Sequence, residues 1–192
     1  MKYVQPRLSE AAAISFFERR RLGNLWGLLR QPRSTTRNSN RPERRIPYAE
    51  LVCLPYYIIR IRLRSARVES EITVSVEGYS GSFAIFRTHA DIVDGERQGE
   101  TFRPRLEEED AIRIARKELL AAIMRRRGGR EKPVPHDVLN VELLQYPFWV
   151  YYYERRRARL DIRVLDAVTG SKPGQSVRAS LLTAFAKHDA QY

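Results

Sequence analysis

Apolar residues along this chain keep two different periods, and the switch between them sets out its elements. Between positions 107 and 129, "EEEDAIRIARKELLAAIMRRRGG", Ala111, Ala115, Leu119 and Ile123 recur every four residues with Ile112 and Ala122 beside them. That spacing is one face of a helix. Acids fill its first turn and arginines its last, each opposing the end of the helix dipole they sit on, and Gly128 and Gly129 supply a stop. A second helix is predicted to start at the cap Ser9 and to gather Ile14, Phe17, Leu22, Leu25, Trp26 and Leu29 on one broad face. A third, "SVRASLLTAFAKH", carries Val177, Leu181, Leu182 and Phe185. Elsewhere the period falls to two. The runs "YYIIRIRLR" and "FWVYYYERR" are rich in β-branched and aromatic residues, and each is followed by a second such run, "EITVSVEG" or "RLDIRVLDA". Two antiparallel hairpins are predicted.

The hairpins are copies of one another. "AELVCLPYYII" (49–59) aligns without gaps on "VELLQYPFWVY" (141–151) at an offset of 92, pairing Pro55 with Pro147 and Tyr57 with Trp149. "VEGYSG" (76–81) then aligns on "LDAVTG" (165–170) at an offset of 89, pairing Glu77 with Asp166, Ser80 with Thr169 and Gly81 with Gly170. Order is kept and three residues are lost between the blocks, which is the signature of a duplicated unit. The closing Glu/Asp-x-x-Ser/Thr-Gly suits a sharp turn, with glycine at positive φ and the side-chain oxygens bonding nearby N–H groups. Proline is tolerated at a strand edge or break, so "LP" and "YP" read as joints between short strands. "RQPRSTTRNSNRPERR" (30–45) and "ADIVDGERQGETFRPR" (90–105) lack any apolar period and read as an exposed linker and a connecting loop.

A helix followed by strands and a final "IRVLDAVTG" resembles the PepSY domain, and "EEDAIRIARKELL" supplies the preceding helix. The first copy is similar, with Glu77 and Gly78 in place of Asp-Ala. The resemblance implies small binding or inhibitory modules and an α+β fold. The expected architecture is therefore two tandem helix plus antiparallel β-hairpin units, PepSY/cystatin-like, with a basic N-terminal helical arm. The arm would take residues 1–47, the first unit 48–105, and the second unit with the C-terminal helix 106–192.

Composition narrows the function. The chain has 192 residues, one cysteine, and a formal net charge of +12. Residues 1–50 hold 11 Lys+Arg against 4 Asp+Glu, so the charge is weighted to the arm. A surplus of this size favours phosphate, anionic lipid or acidic protein surfaces. The lone Cys53, in "ELVCLPYY", rules out an internal disulfide framework and reads as a buried thiol. No apolar run is long enough to span a bilayer and the start lacks a secretory signal, so the expected location is the cytoplasm.

Catalytic patterns are not found. "GYSGS" (78–82) lacks the second glycine of a nucleophile elbow, His89, His136 and His188 have no metal-ligand spacing, and Pro173 breaks "TGSKPG" as a phosphate loop. No catalytic residue, metal or cofactor is expected. Binding has more support. Arg60, Arg62 and Arg64 alternate with apolar residues, which makes one strand face a row of guanidiniums, and Arg155, Arg156, Arg157 and Arg159 fall at the matching end of the second hairpin. Side by side, the two would form one basic surface. The leading expectation is a non-enzymatic scaffold or accessory subunit that docks an acidic protein. The alternatives are sequence-independent nucleic-acid binding and attachment to an anionic membrane by the first helix, through Phe16, Phe17 and Trp26 beside Arg19, Arg20 and Arg21.

Overall fold

The computed structural model describes residues 2–18, 46–66, 68–86, 92–95, 99–125, 132–155 and 159–189. In chain order these form β1 (Lys2–Val4), α1 (Glu10–Glu18), β2 (Tyr48–Arg64), β3 (Glu69–Glu77), β4 (Phe83–Ile85), β5 (Ile92–Asp94), β6 (Glu100–Thr101), α2 (Glu108–Arg125), β7 (Val134–Arg155), β8 (Arg159–Asp166) and α3 (Gln175–Asp189). The helix signals hold where the described residues reach; Leu22, Leu25, Trp26 and Leu29 of the expected first-helix face, and the stop at Gly128 and Gly129, lie outside them. Ala12 N–H donates to Ser9 Oγ at 3.3 Å before α1, and α2 buries Ala111, Ala115, Leu119 and Ile123.

The two-unit architecture is not what forms. A mixed eight-stranded sheet in the order β4-β3-β2-β7-β1-β5, with β6 also on β2 and β8 also on β7, replaces the pair of separate helix-hairpin units. The cause is that the long strands β2 and β7 pair with each other, antiparallel, through sixteen registered positions from Tyr48↔Tyr152 to Arg64↔Val134. The segment read as a connecting loop supplies β5 and β6. Both long strands also run unbroken through the prolines that sequence reads as joints. The Pro55 carbonyl accepts from Gly78 N–H at 2.8 Å and the Pro147 carbonyl from Ala167 N–H at 3.2 Å. Within a strand residue N and C=O point to the same side, so each proline turns its missing donor toward the hairpin turn, away from the β2–β7 ladder.

The pairing is symmetric. From Tyr48 to Arg60 each residue faces one at 200 minus its own number, and the repeat carries each to its number plus 92. Both rules meet at Leu54 and Tyr146, which are cross-strand partners and repeat equivalents at once, so an internal two-fold passes between them. The N-terminal segments obey it too. Lys2 pairs with Leu144 in parallel, and Glu100 pairs with Val52 in the same way. Arg7 and Leu8 N–H both donate to Ala167 O, while Arg105 and Leu106 N–H donate to Gly78 O. Tyr57 Oη donates to Leu106 O at 2.7 Å and Trp149 Nε1 to Leu8 O at 2.9 Å. Each half therefore lends its opening strand and helix to the other half's hairpin: α2 packs on Tyr57, Ile59, Ile61, Val74 and Val76, and α1 on Trp149, Tyr151 and Leu165.

The turns match at the level of single bonds. Glu77 N–H donates to Ser82 O and Gly81 N–H to Glu77 O, and Asp166, Ser171 and Gly170 repeat both. Gly81 and Gly170 stand at φ 70 and 71, the left-handed region in which a Cβ is costly. Beyond the turns the halves part. The first continues into β4, which pairs with β3; the second leaves the sheet and returns as α3, which lies across the opposite face from α1 and α2 over Val52, Leu54, Phe148, Val150, Ile162 and Val164.

The edge of β8 that β4 would have covered is closed by side chains. Ile162 N–H donates to Asp161 Oδ1 at 2.8 Å and its carbonyl accepts from Arg178 Nε at 3.4 Å, while Arg178 and Asp161 also pair. In β3 the equivalent Thr73 carbonyl is instead bonded by Phe86 N–H. Removing the clasp with Asp161→Ala exposes an edge that can pair with another chain. Increased self-association by light scattering is expected, with a stability loss of about 1–2 kcal/mol. Burial pushes the Asp161 carboxyl up, but bonds from Arg178, Tyr153 and the Ile162 N–H outweigh it and hold the group below its ordinary 3.8. Its contribution is thus complete above pH 3.8 and disappears as pH falls through the lower folded value, so wild type should approach the variant in self-association only in acid.

Candidate functional site

Arg60, Arg62 and Arg64 lie on β2 facing away from α2, as their alternation requires. In the second half this face is covered by α3; in the first no described helix covers it, and the residues are more polar. Val150, Tyr152, Ile162 and Val164 beneath α3 correspond to Ile58, Arg60, Thr73 and Ser75 in the first half. The row is also compensated by its neighbours. Arg62 pairs with Asp137 at 3.4 Å and stands opposite Glu71, and Arg64 lies 3.7 Å from Glu69. Glu142, two strand positions from Asn140, the partner of Arg60, binds Lys2 at 2.9 Å, and the Lys2 and Asn140 hydrogen bonds hold its carboxyl below the usual range. Exposed pairs of this kind contribute little to stability, but they cancel the field of the row.

The second arginine group is far away. Arg155 ends β7 and Arg159 begins β8, while Arg156 and Arg157 lie outside the described residues. Because β2 and β7 are antiparallel, Arg155 stands fifteen strand positions from Asn140, on the order of 50 Å along the strand. Arg155 and Arg159 thus stand at the end of the sheet opposite to Arg60, Arg62 and Arg64.

At the Arg155 end the aromatics of "WVYYYERR" are used in packing. Tyr152 stacks on Tyr48 with ring centres 4.7 Å apart, and Tyr151 on Phe17 at 5.0 Å. Tyr153 Oη donates to Asp161 at 2.9 Å, and the Arg163 guanidinium lies 4.9 Å from the centre of its ring. Rings engaged on their faces are not a platform for bases. Phe17 is buried and Phe16 half-buried against the same cluster, so the helix proposed for a membrane turns its phenylalanines to the sheet. Trp26, Arg19, Arg20 and Arg21 lie outside the described residues.

What the geometry does single out is where charge is attached. Three connections, 19–45 between α1 and β2, 126–131 between α2 and β7, and 156–158 between β7 and β8, hold fourteen Arg against two Glu in sequence. Their balance of +12 equals that of the whole chain, so the remainder is neutral. Two of the three join the sheet at one end. Tyr48, where the first connection enters β2, stacks on Tyr152, and Glu18, where it leaves α1, accepts from Tyr151 Oη at 3.5 Å. The β7–β8 tip departs three residues beyond Tyr152.

Ser80, in the segment compared with a nucleophile elbow, has a structural role, while His89 lies outside the described residues. Ser80 Oγ donates to the Glu77 carboxylate, which also accepts from the Tyr79 and Ser80 N–H groups at 2.8 and 2.7 Å and from Ser180 Oγ of α3 at 2.7 Å. Glu77 is fully buried. Burial, with the charges of Glu77 and Asp166 nearby, pushes the Tyr56 hydroxyl far above its ordinary value, and Tyr146, which donates to Asp166, is raised by burial and by that carboxylate. Among the described residues no group of three or more His, Cys, Asp or Glu is placed to hold a metal, and no helix is long and apolar enough to cross a membrane. Sequence reasoning missed the role of "PRL", which stands at 6–8 and again at 104–106 and carries the exchanged N–H contacts. A third self-alignment at an offset of 98 reveals it. No family model, no curated protein and no solved structure matches this chain.

Proposed function

We propose that this chain is a non-catalytic docking scaffold that holds an acidic protein partner through the arginine-bearing connections at the Tyr48–Tyr152 end of its sheet. The supporting observation is the separation of charge: a balanced, internally doubled sheet, with the entire positive surplus in segments joined to its ends. Arginine in such number suits bidentate binding of carboxylates, and the self-packed tyrosines at that end favour a protein over unpaired bases. The resemblance to PepSY domains supports the same reading, since those are binding or inhibitory modules. The Arg60 row, compensated by its own carboxylates, is secondary.

The test is purification of the tagged chain from source lysate at moderate salt, with and without nuclease. A stoichiometric protein that survives nuclease is expected, and replacing Arg155, Arg156, Arg157 and Arg159 together by Gln should weaken it at least tenfold. Nucleic acid that copurifies, with no protein left after nuclease and a steep fall of affinity with salt, would replace this reading by nucleic-acid binding.

A further inference from the structure

We infer that Arg163, on β8, is the anchor that takes a carboxylate of the acidic partner at the Tyr48–Tyr152 end of the sheet. This rests on the proposed docking function and adds to it a residue outside the three arginine connections. The internal symmetry breaks at this position. At the offset of 89 that relates the two hairpins, Arg163 is the counterpart of Val74, which is fully buried in the cluster beneath α2. Arg163 is exposed. A core position of the first half is therefore a surface cation in the second. It stands opposite Tyr151 in the β7–β8 ladder and donates to Phe17 O at 3.2 Å, beside Glu18, where the first connection leaves α1.

Geometry prepares the guanidinium for a planar anion. Its centre lies 4.9 Å from the centre of the Tyr153 ring, which covers one face, and the bond to Phe17 O fixes its rotation. That bond uses one of five N–H groups, so a fork of donors is left. A side chain already held in place loses little freedom on binding, and a fork matches both oxygens of a carboxylate. The charge is also uncompensated. Arg62, Arg64, Arg125 and Arg178 each pair with a carboxylate of the chain, whereas Arg163 pairs with none among the described residues. The acids at the flanking tyrosines have other partners: Glu18 accepts from Tyr151, and Asp161 is bonded by Tyr153, Arg178 and the Ile162 N–H. Those tyrosine rings are engaged on their faces by Phe17 and by Arg163 itself, so a carboxylate suits the site better than a nucleotide, whose base would find no stacking partner.

The experiment adds hexaglutamate to the full chain at low salt and follows the Arg163 Nε–Hε resonance by NMR. That resonance should shift to saturation. Arg163→Gln should weaken the binding about tenfold, the worth of one hydrogen bond to a charged group. Arg163→Lys keeps the charge and can still donate to Phe17 O, yet it should restore only part of the loss, because the fork is gone. Hexaglutamate that binds wild type and Arg163→Gln equally, with the resonance unmoved, overturns the inference and leaves docking through the connections standing. A wild type that holds neither hexaglutamate nor a protein from the lysate overturns both. An oligothymidylate of equal charge that binds through Arg163 more tightly than hexaglutamate overturns the carboxylate in favour of nucleic acid.

Discussion

Glu77→Ala is expected to destabilise the protein by about 3–5 kcal/mol, more than any substitution of a surface carboxylate. The side chain is fully buried and accepts from two backbone N–H groups and two hydroxyls, so truncation leaves buried donors without an acceptor. One of those hydroxyls, Ser180 Oγ, belongs to α3, so the loss should spread to the helix that covers the second half. Asp166 is the control that symmetry provides. Its carboxylate holds the equivalent turn through Val168 and Thr169 N–H and accepts from Tyr146, but it is half-buried and water can replace part of what is lost. Asp166→Ala should cost about 1–2 kcal/mol. Urea unfolding of both variants decides the point. Equal losses would mean that the α3 contact adds nothing to the turn.

Trp149→Ala should cost about 3–5 kcal/mol, because it empties the space against Ala13 and Phe17 and deletes the bond to Leu8 O. This substitution tests the exchange between halves, since Trp149 belongs to the second hairpin and Leu8 to the opening segment of the chain. Hydrogen exchange should quicken across α1 well before α2 is affected. Trp149→Phe keeps most of the packing and loses the bond alone, about 1 kcal/mol, and Tyr57→Phe removes the matching bond to Leu106 O for a similar loss. The two sites serve different helices, so the losses should add in the double variant. An α1 whose exchange does not change in Trp149→Ala would show that its hold on the sheet lies elsewhere.

How much was legible can be followed residue by residue. The four-residue spacing from Ala111 to Ile123 gave the buried face of α2 outright, because that helix packs along its whole length. Glu77 and Asp166, with their hydroxyl and glycine partners, were readable as turns because the bonds that close each turn are made within a few residues, whereas the Ser180 bond to Glu77 and the Tyr146 bond to Asp166 were not. Lys2–Val4 and Glu100–Thr101 were not readable as strands, being too short to show a period. The arginine row was readable as a row, but its neutrality was not, since Asp137 lies 75 residues from Arg62.

Sequence by itself determined the elements that close locally: the helices, the hairpins, the duplicated turns, and the net charge of +12 with its weighting toward the first fifty residues. Tertiary structure alone decided that the two copies fuse into one sheet about Leu54 and Tyr146, that each half borrows the other's first helix, and that Arg60 and Arg155 end far apart. The reason is that two copies of one strand are equally able to pair side by side or head to tail. The difference lies in interactions between residues about ninety positions apart, which no window along the chain contains.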